Sequence, residues 1–329
     1  NSIAFGTNAK VKGGNSTALG RNADAGDGAG MLAVGDGAST NNKTAGSATY
    51  RADNNQSVAL GSRALAWGDQ AIALGNDVKA SGNSSVAIGG DDIDRVRIQY
   101  GNLYKSITGQ DMPSGYRSTE SSGAGSTAIG VMTTASGQFA SALGMTADAS
   151  GDGSIALGPT AKSSGEAGVA IGVESRASDK KTTAVGSVAK ATGENATAIG
   201  AWANAANYNA TAIGSEAQAT AEYAQAMGYQ SNASGYQSNA SGYQSNASGI
   251  ASNAIGWNAN ATAQNATAIG SAAKAYSHSG IAMGSNAEAG SVGSEGILVQ
   301  AVAIGANAKA KTQSQDVALG ADSETSTVA

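Results

Sequence analysis

A glycine that returns every fourteen residues constrains this chain more than any other feature. In Ala196–Ala226, ATAIGAWANAANYNATAIGSEAQATAEYAQA, the block ATAIG occurs twice at that spacing and AQAMG follows at the same interval. Equivalent blocks end at Gly6, Gly20, Gly35, Gly61, Gly75, Gly89, Gly130, Gly144, Gly158, Gly172, Gly186, Gly200, Gly214, Gly228, Gly256, Gly270, Gly284, Gly305 and Gly320. The residue two before the glycine is Ala in all nineteen copies, and the residue between is Ile, Leu, Val, Met or Phe. A fixed internal period of this kind sets the architecture before any other signal.

Within each block the period is two. Thr197 and Ile199 fall on one face of a short strand, and Ala198 and Gly200 on the other. One face therefore carries a large apolar group in each repeat, and the opposite face stays small enough for another backbone to come close. A helix is excluded, because Gly recurs too often and apolar residues do not return at three and four. The second half of each unit reads x-Ala-x-Ala, as in Ala147–Ala149, Ala189–Ala191 and Asn258–Ala261. Turns of Gly, Ser, Thr or Asn join the halves. Two strands and two turns in fourteen residues predict one coil of a parallel β-solenoid, a quasi-one-dimensional fold in which each coil pairs only with its neighbours.

Three stretches break the period, at about 36–55, 90–123 and 291–300. The largest lies between Gly89 and Gly130, and its composition departs from the rest. It holds Asp91, Asp92, Asp94, Arg95, Arg97, Lys105, Asp111 and Arg117, with Tyr100, Tyr104, Tyr116 and Pro113. Arg95–Tyr100 and Leu103–Ile107 flank Gly101-Asn102, a two-residue turn signal, so a β-hairpin is predicted there. Its mostly apolar face is expected to lie on the solenoid or on a neighbouring chain. Exposed Tyr and Arg among mixed charges is the residue usage of binding hot spots, which makes these residues the first candidates for ligand contact; an insertion that merely packs on the solenoid is the bland alternative. Further on, YQSNASG occurs three times in succession from Tyr229. Its seven residues equal half a coil, so the solenoid is expected to continue through it. Tyr229, Tyr243 and Trp257 then share one phase and should stack as an aromatic ladder, the second candidate surface; packing on the roll or between chains is its bland reading.

Aromatic residues make up 5% of the 329-residue chain and charged residues 13%, too few large side chains for a broad globular core. Burial of about 1.5–3 kcal/mol per large apolar residue must offset about 1–2 kcal/mol of backbone entropy per ordered residue, so an isolated monomer is expected to be unstable. The net charge of −5 and the lack of a long basic run argue against nucleic acid. With no cysteine there is no disulfide or zinc–thiolate site, and no metal or other cofactor is expected. No apolar run approaches the length of a membrane span, so the chain is not expected to touch a membrane.

The units NSSVAIG (Asn83–Gly89), NATAIG (Asn195–Gly200 and again from Asn209 and Asn265) and DVALG (Asp316–Gly320) resemble the head repeats of YadA-like trimeric autotransporter adhesins. With its large insertion and its YQSNASG run, the chain is most similar to the ubiquitous surface protein A group of that family. The resemblance implies an all-β, left-handed parallel β-roll, three chains per head, carried on a stalk above an outer-membrane anchor of a Gram-negative bacterium. It implies a head over residues 1–320 and the start of a neck at 321–329, with stalk and anchor lying outside this chain. It also implies a homotrimer that attaches to host cells through extracellular matrix proteins of the fibronectin, laminin or collagen class, or through cell-surface receptors. The alternative is a structural spacer or shield, presenting a stalk-borne site or conferring serum resistance or autoagglutination.

Enzymatic readings find little support. Left-handed β-helix acyltransferases use a period near six and a catalytic His, whereas here the period is fourteen and the lone His278 sits in a turn-like Tyr-Ser-His-Ser-Gly. No GxSxG, P-loop or HExxH pattern occurs. Calcium rolls need Gly-Gly-x-Gly-x-Asp nonapeptides, which are missing. The Thr183, Thr197, Thr211 column is too short for an ice-binding face.

Overall fold

The computed structural model describes residues 1–41, 56–291 and 299–326. Most of the predicted insertions at 36–55 and 291–300, and the last residues of the predicted neck, lie outside that set. The chain divides into two compact units, Asn1–Ala177 and Ser178–Ala329. Each is a parallel β-solenoid of two-strand coils.

In the first unit, ten three- to five-residue strands from Ile3–Phe5 to Val169–Ile171 stack in parallel as one sheet, and shorter strands from Leu65–Ala66 to Arg176–Ala177 stack as the second. In the second unit, Thr183–Val185 begins the long-strand ladder that ends at Val317–Leu319, and Lys190–Ala191 begins the short-strand ladder that ends at Lys309–Ala310. Pairing follows the sequence repeat residue for residue, with Thr197, Ala198 and Ile199 opposite Thr211, Ala212 and Ile213. The YQSNASG run continues the ladder as anticipated. Asn239–Ser241 lies between Gln225–Met227 and Asn253–Ile255, and there Ser241 takes the place of the large apolar residue before the glycine.

The small face of each strand is the interior. Ala198, Ala203, Ala205 and Ala212 have no exposed surface, and alanine methyls dominate the core of both units, with buried Ser and Thr among them. The large apolar residue before each glycine points outward instead, as Ile199 does at 39% exposure. Two sheets separated mostly by alanine stand close, and only an occasional larger side chain, such as Val78 or Thr182, is buried between them.

Two backbone devices make such tight coils possible. The glycine closing most long strands, Gly186 and Gly214 among them, has φ near +130°, and at Gly200 (φ +133°) a Cβ would fall 2.4 Å from the carbonyl oxygen of Gly214 one coil on. Only glycine fits that conformation and that approach. Each turn also holds a residue in the left-handed region. In the second unit these fall every seven residues through Asn195, Trp202, Asn209, Glu216, Tyr223 and Gln230, with φ between 52° and 60°. That conformation costs a non-glycine residue roughly 1–2 kcal/mol. It directs the residue's N–H along the stack, where Trp202 donates to the Ser187 carbonyl at 2.9 Å and Glu216 to that of Ala201 at 2.8 Å. The axial hydrogen bond offsets the strain and leaves the side chain pointing outward.

Candidate functional site

The insertion leaves the first unit between the two strands of one coil. Val86–Gly90 pairs directly with Thr127–Val131, and Lys79–Ala80 with Glu120–Ser121, so both ladders run past it unbroken. Its base is zipped shut. Asp92 bridges Tyr116 in antiparallel fashion, Arg117 N–H donates to the Asp91 carbonyl at 3.1 Å, and the Thr119 hydroxyl reaches the Gly90 and Gly130 carbonyls at 2.8 and 2.6 Å.

Between those ends the chain forms an α-helix, α1, over Asp94–Thr108, in place of the predicted hairpin. Gly101 and Asn102, read as a turn, lie inside it. The physical reason is visible in the spacing. Ile93, Arg97, Gly101, Tyr104 and Thr108 fall at steps of four, four, three and four and face the roll. An isolated two-stranded hairpin is marginal, whereas a helix satisfies its own backbone while seating one stripe. An interior glycine costs it only about 1 kcal/mol. The Asp92 side chain accepts the N–H of Asp94 at 2.6 Å, and Gly109, left-handed at φ 73°, ends the helix by donating to the Lys105 carbonyl.

The helix is anchored by a small apolar cluster of Ile93, Tyr104, Met112 and Met132, with Val131, Met145 and Val173 of the roll packed against it. Tyr104 is only 7% exposed and its hydroxyl lies 2.8 Å from that of Thr160. It is therefore a docking residue and is not available to a ligand. The remaining predicted site residues separate into two groups. Asp91, Asp92, Asp94, Arg97, Tyr116 and Arg117 gather at the start of α1. There Arg97 pairs with Asp94 at 3.0 Å, Tyr116 donates to Asp94 at 3.2 Å, and the Arg117 guanidinium donates to the Met132 carbonyl. Lys105 and Asp111 form a separate ion pair at 3.0 Å beyond the other end, about 16 Å along the axis from Asp94. The hydrogen bond to Asp94, then the charges of Asp92 and Asp94, hold the Tyr116 phenol above its ordinary range, so it is a neutral donor. Arg95 and Tyr100 are exposed on α1.

Two surfaces result. A cleft of about 340 Å³ opens between Pro113–Arg117 and the roll, walled by Met132, Asp148, Thr160 and Lys162. On the outer side of α1, Val96, Tyr100, Leu103 and Ile107 form an exposed apolar stripe at steps of four, three and four, with Ile98 beside it at 80% exposure. The sequence reading missed this stripe; its helical spacing was the signal.

In the second unit the aromatic ladder stands as the phase predicts. Tyr229 stacks on Tyr243 with ring centroids 5.4 Å apart, and Tyr243 on Trp257 at 6.3 Å. Tyr208 and Tyr236 are linked through Tyr223 by edge contacts at 5.5 and 5.9 Å. Tyr223 escaped notice because it occupies the left-handed turn position, outside the strand phase. His278 is half-buried rather than fully solvated, and its backbone bridges Val299. Among the described residues no group of three or more His, Cys, Asp or Glu is placed to hold a metal. No helix there is long and apolar enough to cross a membrane.

A solenoid with an alanine interior, an outward apolar column and a glycine-closed fourteen-residue coil defines a repeat-built head class. The family described as YadA head domain repeat (2 copies) matches residues 1–23, 52–77, 121–147, 149–175, 163–189, 191–217, 205–231, 219–240, 233–259, 261–287 and 299–323. These matches cover well over half of the sequence, and the chain belongs to the YadA head family. The stretch from 78 to 120, with the insertion inside it, lies outside every match. No curated protein matches the chain.

Proposed function

We propose that this chain is the head of a trimeric surface adhesin and that the 91–117 insertion is its recognition element. The observation that carries the reading is the insertion itself. It is a helix seated firmly on an otherwise repetitive roll, with an apolar stripe facing outward and a cleft of mixed polar and apolar lining at its base. The partner class is a host extracellular matrix protein (fibronectin, laminin or collagen) or a cell-surface receptor, met on the outer surface of a Gram-negative bacterium.

Trimer formation is supported by the outward apolar column. Ile199, Ile213, Met227 and Ile255 repeat along one sheet, each more than a third exposed, a seam suited to burial against further copies of the chain. Three copies of a weak site on one head act by avidity, which exceeds single-site affinity without new contacts.

The test replaces residues 91–118 with a short Gly-Ser link, keeping Thr119, and compares binding to immobilised fibronectin, laminin, collagen and host-cell receptors. Circular dichroism and light scattering confirm that a trimeric β-protein remains. Loss of binding to one ligand in an intact trimer is the expected result. Unchanged binding overturns the assignment of the insertion, and a parent head that binds none of these ligands overturns the adhesin reading in favour of a spacer.

A further inference from the structure

Between Ala191 and Ala273 the chain has no Lys or Arg and three carboxylates, Glu194, Glu216 and Glu222. The same stretch holds seven of the fifteen aromatic residues (two Phe, three Trp and ten Tyr in all). Tyr229, Tyr243 and Trp257 cover one another's faces, and the Tyr208, Tyr223, Tyr236 group is closed by edge contacts. Trp202 belongs to neither set. It is 44% exposed and borders a recess of about 490 Å³ together with Glu216, Gln218 and Gln230.

Trp202 sits in the left-handed region at φ 60°, where a bulky side chain is unusual and Asn or Gly would be less strained. The polar walls of the recess are held in place. Gln244 Nε2 donates to Gln230 Oε1 at 2.7 Å, and Gln230 Nε2 donates to Glu216 Oε2 at 2.8 Å. Asn204 Nδ2 donates to Gln218 Oε1 at 3.0 Å, and Gln218 Nε2 to the Glu216 carbonyl at 3.3 Å. Each carboxamide is thus oriented by a neighbouring coil, and the chain of donors ends on a carboxylate. Among the described residues, the other Glu216 oxygen, Oε1, accepts no hydrogen bond.

We propose that Trp202, Glu216, Gln218 and Gln230 form a saccharide subsite that takes one neutral pyranose ring. The apolar C–H face of the sugar lies on the indole, vicinal hydroxyls donate to the Glu216 carboxylate, and the remaining lone pairs of Gln218 and Gln230 receive others. An apolar platform with a few convergent, pre-oriented polar groups is how ligand sites are generally built, and hydrogen bonds to a carboxylate are the stronger kind. A cationic side chain could also sit on an indole. It would leave the two oriented carboxamides unused, and the one carboxylate already accepts from Gln230. The site belongs to the second unit and the insertion to the first, and the proposal does not depend on what the insertion binds.

The test titrates the purified chain with lactose, maltotriose and triacetylchitotriose, followed by saturation-transfer NMR and tryptophan fluorescence. At least one saccharide is expected to bind with Kd in roughly the millimolar range. Trp202→Gly suits the left-handed backbone, so the fold is retained; it should weaken binding by about tenfold or more, the loss of the aromatic platform. Glu216→Gln keeps an acceptor for Gln230 and should weaken binding several-fold, while Trp257→Ala leaves it unchanged. The proposal is overturned if none of the three saccharides binds. It is equally overturned if binding follows Trp257 and not Trp202, or if the peptide Gly-Arg-Gly takes the site in a Trp202-dependent way and the saccharides do not.

Discussion

The Tyr104 hydroxyl lies 2.8 Å from the Thr160 hydroxyl, joining two residues 56 apart in sequence. Among the described residues it is the one side-chain hydrogen bond between the middle of α1 and the roll, and it stands within the apolar cluster that seats the helix. Tyr104→Phe should cost about 1 kcal/mol of docking, the net value of a hydrogen bond. Tyr104→Ala should cost about 3 kcal/mol or more, as for other large-to-small core changes. Hydrogen exchange should show α1 losing protection while the coils on either side keep theirs, because a solenoid's stability is local. Equal loss throughout the first unit would contradict this.

The glycine column permits a paired test. Gly200→Ala places a Cβ 2.4 Å from the Gly214 carbonyl oxygen at φ +133°, and nothing flexible can yield. The expected cost is about 4 kcal/mol or more, among the severe single-residue effects. Gly14→Ala meets no atom within 4 Å and should stay within about 0.5 kcal/mol of the parent. Denaturant melts of the two variants decide it.

Stacking in the ladder is measurable by a double-mutant cycle. Tyr243 touches both Tyr229 and Trp257, so Tyr243→Ala removes two ring contacts and Tyr229→Ala only one. At about 0.5–1.5 kcal/mol for each aromatic pair, the Tyr243 variant should lose up to twice as much stability. The Tyr229–Tyr243 coupling should fall in the range of one pair. Coupling near zero would mean that the rings are adjacent without interacting.

Asp316 should contribute to the acid response of the last described coils. Burial alone would raise its pKa. Hydrogen bonds from the Thr312 hydroxyl and N–H, the Gln313 N–H and the Thr325 hydroxyl outweigh that effect and hold it below its ordinary value of 3.8. A folded pKa that is depressed stabilises the fold above the unfolded value, and the stability is lost as pH falls through the folded one. Amides around Thr312 and Thr325 should therefore lose protection as pH is lowered from about 5 to about 2. Asp316→Asn should be less protected at neutral pH and should flatten this dependence.

Most of the roll is legible in the sequence because one rule repeats. Ala two before Gly gives the strand, its interior face and its register at once, and Ala198 opposite Ala212 follows directly. The insertion occurs once, so no repetition corrects a local misreading. Gly101-Asn102 carries a strong turn signal, but the competing helical spacing of Tyr104 with Thr108 on the buried side, and of Val96 with Ile107 on the open side, prevails once the roll offers a surface. Trp202 was invisible for a different reason. Its role depends on the left-handed turn, which turns a residue between strands into an outward platform above Glu216 and Gln230, residues of later coils.

The seven-residue run can change length only in steps that the two sheets allow. Asn232–Ala233 and Asn246–Ala247 lie in the short-strand sheet, while Asn239–Ser241, from the same seven-residue motif, lies in the other. Gain or loss of one copy would transpose every downstream strand to the opposite sheet, placing Ile255 and Gly256 at short-strand positions that hold x-Ala or x-Ser. Gain or loss of two copies would shift nothing. The number of copies is thereby constrained by parity, and length variants that keep each strand in its sheet differ in whole coils, each about 4.8 Å of added reach.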